Sequence, residues 1–307
     1  MTPRTTVVLH PMHQSGVREA LEGLPEIDLV CPQDDAELKD ALASDAVLVT
    51  YIWRDEYLRP GLRWLQSHSA GYNQYPIDRL RENGTVLTSA SGVHIVCAEH
   101  AMGLLLALTR DIHIGIRDMP ARRWDTHVAP EVGGRTVVIA GLGAIGEAIA
   151  RRLAGWDVRL IGVTRSPASY AGVVKDVRPL DQLAGACAEA SILMVALPLA
   201  AETRHLVSAA VLDALGQGWI TNVSRGPVID ESALIERLRD GRLLGAGLDV
   251  TEVEPLRADS PLWDMPNVVI TPHMAGLTPR CGERLAELLQ HNLRAYRGLG
   301  PWKNRIC

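Results

Sequence analysis

Four stretches of this 307-residue chain combine residue types that do chemistry, and each follows a short apolar run. Gly141, Gly143 and Gly146 form a GxGxxG spacing between the apolar run Thr136–Ala140 and the helix-patterned stretch Glu147–Leu153. In that context the first glycine permits a tight turn and the second lets the backbone approach a pyrophosphate. The third allows close helix–strand packing, and the N–H groups at the helix start face the anion. The spacing and its setting point to a bound dinucleotide rather than to a structural turn. Arg225, Glu254 and His273 stand just after later apolar runs, at the strand ends where open α/β sheets bind ligands. Taken singly, Arg225 could cap a turn, Glu254 could be a solvated acid and His273 a structural histidine. Three such groups on one sheet, downstream of a dinucleotide loop, point to a site.

The strand after the glycines bears on which dinucleotide. An NAD site ends it with an Asp or Glu that accepts the ribose 2′-hydroxyl. This strand ends in Thr164, Arg165 and Ser166. Thr164 takes the acid's place, and Arg165 offers a guanidinium suited to a 2′-phosphate. That pair of changes favours NADP (NADPH), with NAD as the weaker alternative. The competing reading makes Arg165 a solvated loop residue.

The elements that must position these groups alternate short apolar runs with amphipathic stretches, the βα rhythm of a parallel sheet. In the first 90 or so residues the runs are Thr6–His10, Asp28–Cys31, Ala46–Ile52, Leu62–Ser67 and Thr85–Thr88, with a helical pattern over Gly16–Leu24. Val96–Arg110 reads as a long helix leaving that unit. The second series is Thr136–Ala140, Arg159–Val163, Ile192–Ala196, Trp219–Val223, Leu244–Leu248 and Val268–Thr271. Arg280–Tyr296, with Leu285, Leu288, Leu289 and Leu293 on one face, closes the chain as an amphipathic helix. Periodicity alone gives two consecutive α/β domains.

Composition narrows the function classes. The chain is 47% hydrophobic and 22% charged, which excludes a disordered or fibrous protein. A net charge of −5 argues against nucleic-acid or anionic-membrane partners, and no apolar stretch is long enough to span a bilayer. Cys31, Cys97, Cys187, Cys281 and Cys307 are scattered and odd in number, so neither a disulfide framework nor a zinc site is expected. The N-terminus lacks the apolar region of a signal peptide, and a cytoplasmic setting is the expectation. His10 and His13 are spaced HxxH without an evident third ligand and read as structural or solvated.

Over nearly its whole length the sequence resembles the D-isomer-specific 2-hydroxyacid dehydrogenase family, in its NADP-type glyoxylate/hydroxypyruvate reductase branch. The motifs are Ser69 to Gly71, Ala98 to His100 through Arg110, Trp124, the glycine loop, and Leu197 to Thr203. They continue through Asn222 to Asp230, Leu248 to Leu256, Pro261 to Trp263 and Thr271 to Gly276. The resemblance implies an α/β fold of two doubly wound parallel-sheet domains. A Rossmann cofactor domain (95–275) is inserted into a smaller flavodoxin-like substrate domain (1–94 and 276–307), and the two close over a cleft. It implies reduction of a small 2-oxo acid to the D-2-hydroxy acid. His273 is the general acid, Glu254 pairs with it to stabilise the imidazolium, and Arg225 binds the substrate carboxylate and polarises the carbonyl. Backbone N–H groups of Ala70 and Gly71 hold the same carboxylate. Cofactor contacts fall on Gly141, Leu142, Gly143, Ala144, Ile145, Gly146, Thr164, Arg165, Ser166, Pro198, Thr203, Val223, Ser224, Asp249, His273 and Gly276, with Asp249 at the nicotinamide carboxamide. The family commonly forms homodimers, with Val96–Arg110 and the Trp124 segment resembling the parts that pack across the two-fold.

Departures accompany the likeness. Tyr72 and Asn73 replace a hydrophobic residue and an Asp, and His94 stands where a small polar residue is common. Relatives that oxidise formate carry Gln at the position of Glu254, which disfavours formate. Two rivals remain: a dinucleotide-sensing corepressor of the same fold, and a Rossmann methyltransferase, against which Arg165 and the Arg225/Glu254/His273 set argue.

Overall fold

A computed structural model describes residues 4–13, 16–42 and 45–307. The chain divides into two compact units, Met1–His94 with Leu277–Cys307, and Ile95–Gly276.

The first unit is built on five strands: β1 (Thr5–Leu9), β2 (Ile27–Val30), β3 (Ala46–Thr50), β4 (Leu62–Ser67) and β5 (Val86–Thr88). All pairs are parallel, in the order β2-β1-β3-β4-β5, the flavodoxin-like arrangement. β3 is buried along its whole length, as a strand covered on both faces must be. Helices α1 (Arg18–Glu22), α2 (Asp35–Ala41) and α3 (Ile77–Glu82) connect the strands. Asp34 caps α2 by accepting from Ala36 and Glu37 N–H. The C-terminal helix, Cys281–Tyr296, returns to this unit and buries Leu285, Leu289 and Leu293 against Val7, Leu21 and Trp64.

The second unit opens with α4 (Cys97–Thr109) and α5 (Ile112–Asp118). Its sheet comprises β6 (Thr136–Ala140), β7 (Arg159–Val163), β8 (Asp176–Arg178), β9 (Ile192–Val195), β10 (Trp219–Asn222), β11 (Gly245–Leu248) and β12 (Val268–Ile270). The order is β12-β11-β10-β9-β6-β7-β8, all parallel. The chain therefore reverses its winding between β6 and β9, the switch point where such sheets bind ligands. Helices α6 (Ala144–Leu153), α7 (Leu183–Ala188), α8 (Ala209–Leu215) and α9 (Glu231–Arg239) complete the layers. Leu104 and Leu108 of α4 lie against Gly247 and Gly245 of β11, where a Cβ would not fit without displacing them. No helix among the described residues is long and apolar enough to cross a membrane.

Several elements depart from the sequence expectation. The first helix spans only Arg18–Glu22 of the expected Gly16–Leu24, and β8 has no counterpart among the expected runs. β8 is an edge strand with no apolar run to announce it; its parallel pairing with β7 and the ion pair of Asp176 with Arg159 of β7 hold it.

Candidate active site

The glycine turn is dictated by close packing at the switch point. Gly141 has φ +101°, and a Cβ there would sit 2.6 Å from the carbonyl carbon of Ala196 at the end of β9. A Cβ on Gly146 would lie 1.7 Å from the Gly141 carbonyl oxygen, so α6 can start this close to β6 only with glycine. Gly143, between them, faces open space. No side chain caps the N-terminus of α6, which leaves its first-turn N–H groups at Ala144, Ile145 and Gly146 free of a side-chain acceptor. Two packed glycines, one open glycine and an uncapped helix start fit a pyrophosphate.

Beside this turn lies a cavity of about 400 Å³. Gly141 to Gly143 form one wall, Thr164 to Ser166 a second, and Pro198, Glu202 and Thr203 a third. The Thr203 hydroxyl donates to the Pro198 carbonyl (2.6 Å) and accepts from Ala200 N–H (2.8 Å), so it shapes the third wall from within. The acid missing from the end of β7 has a counterpart here: Glu202 Oε1 stands 3.3 Å from Arg165 Nη1. Sequence reading missed Glu202 because it reaches the cavity from a different loop.

The catalytic candidates sit on the loops after β10, β11 and β12. His273 Nδ1 lies 2.6 Å from Glu254 Oε2, both side chains being a little over one-third exposed. Burial pushes the Glu254 carboxyl up, but His273, the Thr251 N–H at 3.2 Å and the charge of Arg225 outweigh it and hold the group below its usual value. Arg225 is half-buried and donates from Nη1 to the Ser224 carbonyl (2.7 Å). Val223 and Ser224 before it are buried, and the Ser224 hydroxyl is held by Asn222 Oδ1 (2.8 Å).

His273 has φ +51°, a strained position for a side chain this size, and Asp249 holds it there. The His273 N–H donates to the Asp249 carbonyl (2.8 Å). The buried Asp249 carboxylate accepts from the Thr271 hydroxyl (2.6 Å) and from the N–H groups of Met274 and Ala275 (both 3.0 Å). His100, on α4, bonds the Thr271 hydroxyl at 2.8 Å. In this structure Asp249 anchors the histidine loop, a role its place in the sequence does not reveal.

A second set of unforeseen residues joins the other loops. A Cβ on Gly226 would meet the Thr251 carbonyl oxygen at 1.8 Å, so the Arg225 and Glu254 loops touch backbone to backbone. His205 donates its N–H to the Pro227 carbonyl (2.8 Å), and its Nε2 pairs with Glu252 Oε1 (2.8 Å). Glu231 accepts the Glu252 N–H (2.8 Å), and burial raises its pKa.

The remaining expected residues fall elsewhere. Gly276 is the last residue of the second unit. Ala70 and Gly71 follow β4 in the first unit, where the Ser69 hydroxyl donates to the Gly71 carbonyl (2.6 Å). Near them, His94 Nε2 bonds the His68 carbonyl (2.7 Å). His10 is buried beside the Tyr57 hydroxyl (3.1 Å), and the His13 side chain lies outside the described residues. No cluster of His, Cys, Asp and Glu that could hold a metal occurs among the described residues.

The chain has relatives among known proteins. Residues 102–275 match the family described as D-isomer specific 2-hydroxyacid dehydrogenase, NAD binding domain. A glyoxylate reductase of Thermofilum pendens is 33% identical over 244 residues, 77% of this chain and 72% of that protein. Glyoxylate/hydroxypyruvate reductase B of Serratia proteamaculans is 32% identical over 307 residues, covering 95% of this chain and 94% of the relative. The NADPH-dependent glyoxylate/hydroxypyruvate reductase of Sinorhizobium meliloti, solved with citrate, superimposes with a TM-score of 0.83 at 29% identity. That match covers 99% of this chain and 98% of the other.

Proposed function

The chain belongs to the D-isomer specific 2-hydroxyacid dehydrogenase family, and from that premise we propose that it reduces a small 2-oxo acid, of the glyoxylate or hydroxypyruvate type, to the D-2-hydroxy acid with NADPH. The observation that carries the proposal is the 2.6 Å Glu254–His273 pair, with Arg225 close enough to depress the Glu254 carboxyl, on the sheet that carries the glycine turn.

When bound, the dinucleotide supplies a hydride. Gly141 to Gly146 and the start of α6 would hold its pyrophosphate, and Thr164, Arg165 and Ser166 its ribose 2′-phosphate. His273 keeps Nδ1 on the Glu254 carboxylate, which leaves Nε2 to give a proton to the carbonyl oxygen as the carbon is reduced. The carboxylate offsets the positive charge of the imidazolium that must exist before that transfer. Arg225, with its planar fork, binds the substrate carboxylate and polarises the carbonyl. The anchoring of His273 by Asp249 keeps the acid in a fixed orientation.

We further propose a two-fold homodimer. Ile112, Ile116, Met119, Trp124 and Val128 form an exposed apolar stretch of the second unit, Trp124 and Val128 being 95% and 99% exposed. The test of function is the loss of reduced nicotinamide absorbance with a panel of 2-oxo acids, NADPH and NADH compared, and chiral analysis of the product. D-hydroxy acid formed with NADPH supports the proposal. NADPH binding without turnover on any 2-oxo acid would instead fit a dinucleotide sensor.

A further inference from the structure

Among the described residues, Arg165 and Glu202 are the only charged ones lining the cavity beside the glycine turn. Their side chains are 75% and 47% exposed, and the 3.3 Å contact between them joins the loop after β7 to the loop after β9. A site built to take a 2′-phosphate would be expected to present net positive charge. This one presents a guanidinium and a carboxylate whose formal charges cancel.

We propose that Glu202 is a specificity-determining residue: it competes with the 2′-phosphate for Arg165, and so sets how strongly the enzyme prefers NADPH over NADH. The inference rests on the reading of Arg165 as the 2′-phosphate ligand. A phosphate entering the cavity must draw Arg165 away from Glu202 and then tolerate the carboxylate nearby. A ribose 2′-hydroxyl carries no charge and meets neither cost. An exposed ion pair is worth up to about 1 kcal/mol, roughly fivefold in affinity, which a ligand needing the same cation must overcome. Repulsion between the carboxylate and the doubly charged phosphate adds to it. NADH sites place an acid at the end of the second strand; here the acid beside the cavity comes from another loop, where it tempers the cation.

The experiment measures dissociation constants for NADPH and NADH directly, by nucleotide fluorescence without substrate. Wild type, Glu202→Gln, Arg165→Ala and the double variant are compared. Both side chains are exposed, so the variants are expected to fold. Glu202→Gln should tighten NADPH by about threefold to tenfold while NADH stays within about twofold. In the Arg165→Ala background the same replacement should give a clearly smaller gain for NADPH, because only the direct repulsion between carboxylate and phosphate remains to be relieved and no guanidinium is left to be released. An NADPH affinity that is unchanged or weaker in Glu202→Gln overturns the inference. So does a selective loss of NADH binding, the mark of a carboxylate that accepts the ribose hydroxyl. If Arg165→Ala weakens NADPH and NADH equally, the reading of Arg165 fails and the inference falls with it. If Arg165→Ala weakens NADPH selectively and Glu202→Gln brings no gain, only the role of Glu202 is refuted.

Discussion

Replacing Glu254 with Gln keeps the shape of the His273 partner and removes its charge. Hydrogen bonds to charged groups contribute about 1.5–3 kcal/mol. Both partners are more than one-third exposed, so solvent screening lowers that figure to about 1–2 kcal/mol. Lost from the transition state, this corresponds to roughly a 5- to 30-fold fall in kcat/KM for the 2-oxo acid. The effect should depend on pH in a defined sense. Glu254 is held below its ordinary value, so the carboxylate stays charged at neutral pH and loses its charge only in acid, below the usual carboxylate range. The wild-type pair is therefore intact throughout the neutral range. The loss in Glu254→Gln should therefore be full at neutral pH and should shrink only in acid, as the wild-type carboxylate itself takes up a proton. Steady-state kcat/KM from acidic to neutral pH, at saturating NADPH, reads both the size of the loss and its pH dependence. A variant with wild-type kcat/KM at neutral pH would refute the reasoning, because the carboxylate would then contribute nothing to the acid.

Three further outcomes follow from the packing. Gly146→Ala drives a Cβ to 1.7 Å from the Gly141 carbonyl oxygen, so fluorescence titration should show NADPH binding weakened at least about tenfold; wild-type affinity would contradict the turn described. Asp249→Asn sets an amide NH₂ against backbone donors in a buried site. Urea unfolding should show a loss of about 1–3 kcal/mol, and an unchanged midpoint would remove Asp249 as the anchor of the histidine loop. Sedimentation should show a dimer for wild type and a shift toward monomer for Trp124→Glu combined with Met119→Glu; a monomeric wild type at micromolar concentration would contradict the interface.

What the sequence discloses, and what it hides, follows from how local each signal is. Strands such as β6 and β7 are visible because a buried parallel strand must be a short apolar run, and the glycine turn is visible because its backbone geometry demands glycine at fixed spacing. Glu254 and His273 can be picked out because each lies in the segment that follows a strand of that series. β8 is hidden because Val177 is the one apolar residue of its three; backbone pairing with β7, the packing of Val177 and the ion pairs of Asp176 with Arg159 and of Arg178 with Glu189 hold it. Glu202 is 37 positions from Arg165, and Glu252 is 47 from His205. Neither pairing leaves a local pattern, because folding alone brings the loops together. Asp249 is visible as a residue but not as the acceptor of three donors from the next strand's loop.

The most direct test of the central claim, that His273 protonates the substrate carbonyl, is turnover of a His273→Gln variant on whichever 2-oxo acid the wild type reduces best, with NADPH affinity measured on the same preparation. The account predicts a fall in kcat of about 10²- to 10⁴-fold, the range typical of a lost general acid, while NADPH binds as in wild type. A variant that binds NADPH normally and turns over within about tenfold of wild type would contradict it, since that loss lies below the range for a general acid.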